Sequence, residues 1–261
     1  MNKKVLFLFL ATSLFHAACF LQQAEARRVV TLAIGKGEAT VTLLTGSAEV
    51  LEKGKWFPLA LKDALGEGDQ VRTGAGARLE ILLPDSSLVR FAGDSEFRVI
   101  RVEPGGTAAP REVKVHIVLG RAWTNVVKTL GVKGNVEVSC DYAVAGVRGT
   151  IYRMNVEKDL SALVRVYEGT VYVSGGGKAL EAPKPLGPPT RVEGPKPVPG
   201  PHRVTMEEWT LIIKAMQQVR IGADGRPEKP RDFTKAEDRD EWVDWNRARD
   251  RGVSDAGENK K

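Results

Sequence analysis

Between Val29 and Val173 apolar residues alternate with polar ones in short runs, each closed by Gly, Pro, Asp or Ser. ATVTLL, SAEVLE, ARLEILL, SLVRFAG, EFRVIRV, EVKVHIV, NVEVSC, IYRMNVE, ALVRVYE and TVYVS all follow this rule. A period of two places successive side chains on opposite faces of an extended chain, so each run predicts a strand with one buried face. No helical period persists here, and about 145 residues of strand signal suffice for an all-β domain with its own core. Arg and Lys occupy many of the polar positions, as in VRTGAGARLEI and VKVHIVLGRAW, which reads as a solvated strand face.

Three segments, TGSAEV, LGRAWTNV and EGTVYV, each set a Gly just before a strand. Glycine there permits a backbone conformation that a Cβ resists, at a bulge or corner. The spacing is too irregular for a regular repeat, but recurrent turn-then-strand units suit a wrapped architecture, solenoid-like or sandwich-like. The stretch AVAGVRGT raises a separate question, because paired glycines also cradle phosphates. A phosphate or dinucleotide loop needs its own glycine spacing and a helix behind it. Here IYRMNVE follows, a strand, so Gly146, Val147, Arg148, Gly149 and Thr150 are expected to form a corner. In that strand Thr150, Tyr152, Met154 and Val156 share the core face; Arg153, Asn155 and Glu157 share the other.

Residues 178–203 hold eight of the chain's fourteen prolines. Proline fixes φ and lacks a donor, which predicts an extended linker that ends the β-rich domain of residues 27–177. Beyond it, residues 204–251 are expected to form an amphipathic helical tail. Thr205 and Glu208 make one capping box, with Met206, Trp209, Ile212, Ile213, Met216 and Val219 on one stripe. Thr234 and Glu237 make a second box ahead of Trp242 and Trp245. Residues 252–261 are expected to be a disordered end. The tryptophans of the tail need a surface, either the chain's own β domain or a partner.

The first 26 residues combine two lysines, an apolar run and Ala24-Glu25-Ala26, the pattern of a secretory signal peptide. The protein is therefore expected outside the cytoplasm, in the periplasm or beyond, with no membrane span once the signal is removed. Cys19 offers lipid anchoring as the less favoured alternative, because His16 stands where an aliphatic residue belongs. The only other cysteine, Cys140, cannot make an internal disulfide in the mature chain and reads as a buried strand residue. The net charge is +6, without the clustering that a nucleic-acid binder shows. Neither a nucleophile elbow, a paired metal-ligand motif nor a calcium loop is present, so the residues point to no enzyme, no metal and no cofactor. A pairing of Cys140 with His116 through folding is the residual catalytic option.

Residues 40–174 resemble the FecR-domain family of envelope proteins. The resemblance rests on GSAEVLEKGKWFPLALKDALGEGDQVRTG, ARLEILLPDSSLVRFAGDSEF and LGRAW, and most specifically on AVAGVRGT followed by EGTVYV with Gly169. Ser86 departs from it, standing where the family's turn has Gly. The resemblance implies an exported β-rich module that binds other proteins and brings no catalytic residues. It further implies the stand-alone exported type, since residues 1–4 leave no room for a cytoplasmic anti-sigma segment. The expected function is a cell-envelope protein-binding scaffold or sensor, its partner another envelope protein, with Trp209, Ile212, Ile213, Met216, Trp242 and Trp245 as candidate contacts. The alternative is a carbohydrate- or peptidoglycan-binding module in which Trp56, Trp123 or Tyr172 stacks on sugar rings.

Overall fold

Alternation along the chain becomes seventeen strands in a computed structural model that describes residues 39–103, 111–127, 134–147, 149–175 and 209–258. All of these belong to one unit, Ala33–Lys261, and the signal segment expected at 1–26 lies outside the described residues. The first sheet contains β1 (Ala39–Thr45), β4 (Ala64–Leu65), β6 (Arg78–Leu82), β7 (Leu88–Phe91), part of β9 (Arg111–Asn125), β12 (Ile151–Val156), β13 (Ala162–Glu168), β16 (Gln217–Ile221) and β17 (Arg231–Asp232). Its spatial order is β4-β1-β6-β7-β9-β12-β13-β16-β17. The second sheet contains β2 (Ala48–Glu52), β3 (Lys55–Pro58), β5 (Gln70–Thr73), β8 (Glu96–Glu103), the rest of β9, β10 (Gly134–Ser139), β11 (Ala143–Val147), β14 (Thr170–Gly175) and β15 (Thr210–Lys214). Its order is β3-β2-β5-β8-β9-β10-β11-β14-β15, antiparallel except where β10 runs parallel to β9.

The inward residues of both sheets form one apolar cluster, as expected of a sandwich-like all-β fold. Phe91 of the first sheet stacks on Phe97 of the second, with ring centroids 3.7 Å apart. β9 belongs to both layers: residues up to Leu119 pair with β8, and Gly120–Asn125 pair with β12. The bend falls at Gly120, whose φ is 104°. A Cβ on Gly120 would lie 2.3 Å from Ser95 Oγ and 2.6 Å from Ser95 Cα, so the bend tolerates only glycine.

The same device recurs. Gly46, Gly120 and Gly169, the glycines of the three echoing segments, all have positive φ, and each sits where the chain passes from one sheet to the other. Gly149, at φ 67°, does the same between β11 and β12. Gly146 does not: it lies inside β11, opposite Glu137 and Tyr172, with no positive φ. The corner expected around AVAGVRGT therefore turns at Gly149 alone, and Arg148 lies outside the described residues.

Two expectations for the C-terminal third are corrected. Trp209 begins a stretch in which β15 pairs with β14, and β16 with β13, where a helix was expected over the first half of residues 204–251. The apolar residues there fit both periods, but Ile213, Val219 and Ile221 fill the core while Ile212 faces solvent, which separates the two isoleucines of the expected stripe. Open sheet edges and β-branched side chains decided it, with Met216 making the crossover turn at φ 63°. The proline-rich segment is also not the end of the β domain. Gly175 N donates to Trp209 O at 3.0 Å, so the chain leaves β14 and re-enters at the neighbouring position of β15. Residues 178–203 themselves lie outside the described residues.

Among the described residues one helix forms, α1 (Glu241–Glu258), and its range includes residues 252–258, expected to be disordered. The Thr234–Glu237 box is made, Thr234 N donating to Glu237 Oε2 and Glu237 N to Thr234 Oγ1, but it closes only a turn. Asp240 caps the helix, accepting from Val243 N at 2.7 Å.

The two glycine environments make a paired test. Gly120→Ala is expected to cost about 2–4 kcal/mol in denaturant unfolding. Gly146→Ala, whose Cβ would meet only Asn135 Nδ2 at 3.9 Å, should stay within about 0.5 kcal/mol of the parent.

Candidate functional site

Of the residues expected at the signature corner, Val147, Gly149, Thr150 and Gly169 come together, as a brace. A Cβ on Gly169 would lie 2.7 Å from Gly149 O, so the two crossovers pass in direct contact. Thr150 Oγ1 donates to Thr170 O at 3.2 Å, and Val147 is buried between Val136 and Val171. No group of acid, base or nucleophile gathers among these described residues.

Chemistry is denser on the outer face of the first sheet. In a two-layer fold this face should be wet, yet β7 and β12 are buried on both faces. Across neighbouring strands run Glu80, Arg90, Trp123, Arg153 and Arg165 in one row. Arg78, Arg121 and Tyr167 flank it. Residues 233–250, here called the cap, lie over this row. The solvated arginine face expected from alternation is therefore a covered one, because the cap brings a carboxylate to each guanidinium.

Asp238 accepts from Arg153 at 2.5 Å, from Arg165, and from the Tyr167 hydroxyl at 2.5 Å. Asp250 accepts from Arg90 at 2.6 Å and from the Trp123 indole at 2.9 Å. Asp240 meets Arg121 at 2.9 Å, and Glu241 meets Arg78. Glu80, the sheet's own acid, accepts from Arg90 at 2.6 Å, Thr42 at 2.8 Å and from Nε and Nη2 of Arg249 at 2.7 and 2.8 Å. Burial pushes the Glu80 carboxyl up, but hydrogen bonds from Arg249, Arg90 and Thr42 outweigh it and hold the group at about 2. Burial raises the Tyr167 hydroxyl, against Arg153 and with Asp238, so it stays a donor.

Trp242 and Val243 seal the charges with Ala92 and Trp123, while Trp245, Ile151 and Tyr167 pack at the edge. Trp242 and Trp245, two of the expected partner contacts, are thus held by the chain's own β domain. Ile213 is in the core, Met216 is at the turn between β15 and β16, and Trp209 is half-buried, its indole donating to Gly225 O at 3.1 Å. Ile212 alone of the six is strongly exposed, at 53 %. Directly opposite it stands Tyr172, 56 % exposed. Trp123 is buried, and the face of Trp56 is occupied by the Arg72 guanidinium 4.1 Å away, which leaves Tyr172 as the free ring among the three proposed for sugar stacking.

His116 and Cys140 do not form a catalytic pair. His116 Nδ1 is 3.1 Å from Ser139 Oγ and Nε2 is 3.3 Å from Asp141 Oδ1, while Cys140 belongs to the core. Burial lowers the imidazole despite Asp141, and burial raises the thiol. A nucleophile has to meet its substrate, and Ser139 is 1 % exposed. Among the described residues no three of His, Cys, Asp and Glu meet as metal ligands would, and no helix is long and apolar enough to cross a membrane.

The model of a family described as FecR protein matches residues 69–172, so the chain carries a FecR domain there. β1 to β4 precede that match and β15 to β17 follow it, all within the same two sheets. Two crystal structures of a protein proposed to be an anti-sigma factor from Parabacteroides distasonis, at 1.65 and 2.50 Å resolution, are similar. Each shows 16 % identity and a TM-score of 0.41, covering 62 % of this chain and 59 % of that one. The chain thus spans somewhat over half the length of these structures. Among curated proteins nothing matches. Ser86, the departure from the family turn, holds a left-handed φ of 68°.

The row over the first sheet was missed because strand arginines read as solvated when no partner is in view. The signal was present in DRDEWVDWNRARD, where acids surround the tryptophans. Since the folded Glu80 carboxyl lies below its ordinary value of 4.5, its contribution is present above pH 4.5 and disappears as pH falls toward 2. We expect about 3 kcal/mol of stability to be lost across that window, and Glu80→Gln to flatten the curve, both read by denaturant unfolding at stepped pH. Asp238→Asn leaves the buried Arg153 and the half-buried Arg165 guanidinium without a charge partner and should cost about 3 kcal/mol at neutral pH.

Proposed function

We propose that this is a non-enzymatic, exported FecR-domain protein that binds another protein of the cell envelope through its second sheet, as a scaffold or sensor module. The FecR domain supports an envelope signalling role, and the N-terminal signal pattern supports export. One observation carries the site. Tyr172 and Ile212 face each other across β14 and β15, exposed, beside the last strand of the sheet. Trp209 O accepts from Gly175, so by alternation Trp209, Leu211 and Ile213 turn their backbone groups to β14. Thr210, Ile212 and Lys214 turn theirs outward; Lys214 N already donates to Gln217 Oε1 at 3.2 Å. Thr210 and Ile212 thus offer an edge on which an extended segment of a partner can add as a further strand, with the two exposed side chains as anchors.

A carbohydrate-binding alternative rests on the open space above Gly146, next to Tyr172, where a sugar ring could lie flat on the phenol.

A photocrosslinking residue at Ile212 is expected to capture one defined envelope protein in intact cells. Thr210→Pro, which bends the edge and removes its donor, should abolish that capture while the protein remains folded. Capture that persists in Thr210→Pro, or none from Ile212, would refute the edge site. Co-sedimentation with purified cell wall that depends on Tyr172 would favour the sugar instead.

A further inference from the structure

The outward positions of β6, β7, β9, β12 and β13 on the first sheet hold Arg78, Arg90, Arg121, Arg153 and Arg165 around Trp123, against a single acid, Glu80. Each of the five arginines takes a carboxylate from the cap: Glu241, Asp250, Asp240 and, for the last two, Asp238. The fit is nevertheless incomplete. Arg90 Nη2, Arg153 Nε, Trp242 Nε1 and Arg247 Nη2 are buried without a hydrogen-bond partner. Arg247 comes from the cap itself, its guanidinium 5.1 Å over the Tyr167 ring, and so adds a cation to a face already rich in them. The apolar seal is small: four buried residues against the long cluster of the main core. A covalently tethered segment holds such a site through effective concentration even when its contacts are imperfect.

We propose that the outer face of the first sheet is a second binding surface, for an acidic, tryptophan-bearing helical segment of a partner protein, and that the cap is its built-in competitor. Charge complementarity selects the occupant: a helix placing carboxylates where Asp238 and Asp250 lie, and an acid in place of Arg247, satisfies donors that the cap leaves bare. Trp123 and Tyr167, stacked at 4.4 Å, supply the aromatic floor that such a tryptophan would meet. This surface is separate from the Tyr172–Ile212 edge and does not depend on it.

The test uses the full chain and a fluorescent synthetic peptide copying residues 233–258 with Arg247→Glu. The cap is loosened at its rim by Asp240→Asn with Glu241→Gln, which leaves every buried pair satisfied. The loosened chain should bind the peptide at least tenfold more tightly than the parent, and adding Arg153→Gln should remove that binding. Near-ultraviolet circular dichroism checks that each variant is folded. Ile212→Asp should change nothing, which separates this surface from the edge site. Equal affinity of parent and loosened chain, or equal binding of a peptide carrying Asp238→Asn and Asp250→Asn, would overturn the proposal. So would a concentration-dependent dimer of the loosened chain in sedimentation, since the occupant would then be a second copy.

Discussion

Arginine buried on the outside of a sheet has to be met by a carboxylate, and that requirement organises the C-terminal third of this protein. Arg90 and Arg153 are almost wholly removed from water, and an unpaired guanidinium there would cost several kcal/mol in desolvation. The cap answers with Asp238, shared by Arg153, Arg165 and the Tyr167 hydroxyl, and with Asp250, shared by Arg90 and the Trp123 indole. Its helix is placed by those pairs at least as much as by its own sequence. Along the described side chains of α1, Trp242, Val243 and Trp245 reach down to apolar partners.

Beneath that layer the two sheets are joined by the way the chain changes sides. Residues with left-handed backbone stand at the crossovers, and at Gly120 and Gly169 neighbouring atoms leave no room for a Cβ. These crossovers explain why Gly46, Gly120 and Gly169 recur without a fixed period. They occur wherever the winding needs to pass between layers, and strand lengths between passages differ. Gly149 and Gly169 lie against each other, so the crossovers that enter and leave the β12–β13 pair form one joint in the frame.

The two outer faces then have different fates. The first is basic, aromatic and occupied by the chain itself; the second is more mixed in character and carries an exposed Tyr172–Ile212 pair beside a terminal strand. The positions expected to contact a partner lie on two expected helical segments, Trp209, Ile212, Ile213 and Met216 on the first and Trp242 and Trp245 on the second, and the fold scatters them. Ile213 goes to the core, Trp242 to the cap interface and Ile212 to solvent. A stripe and an alternation cannot be told apart over a dozen apolar residues. The strands waiting at β13 and β14 made the choice.

Composition and period by themselves determined that the chain is β-rich, where most strands begin and end, that Cys140 is interior, and that a strand follows the paired glycines. Those properties are local: side-chain alternation, turn chemistry and glycine's freedom act within a few residues. Tertiary structure alone decided that β9 serves both layers, that the chain re-enters the sheet after its proline-rich excursion, and that six arginines, Arg249 included, gather with four acids of the cap and with Glu80. These depend on which surfaces meet across long separations in sequence, 73 residues between Arg165 and Asp238 and 169 between Glu80 and Arg249. A charge on a strand carries no mark of whether water or a distant carboxylate will face it.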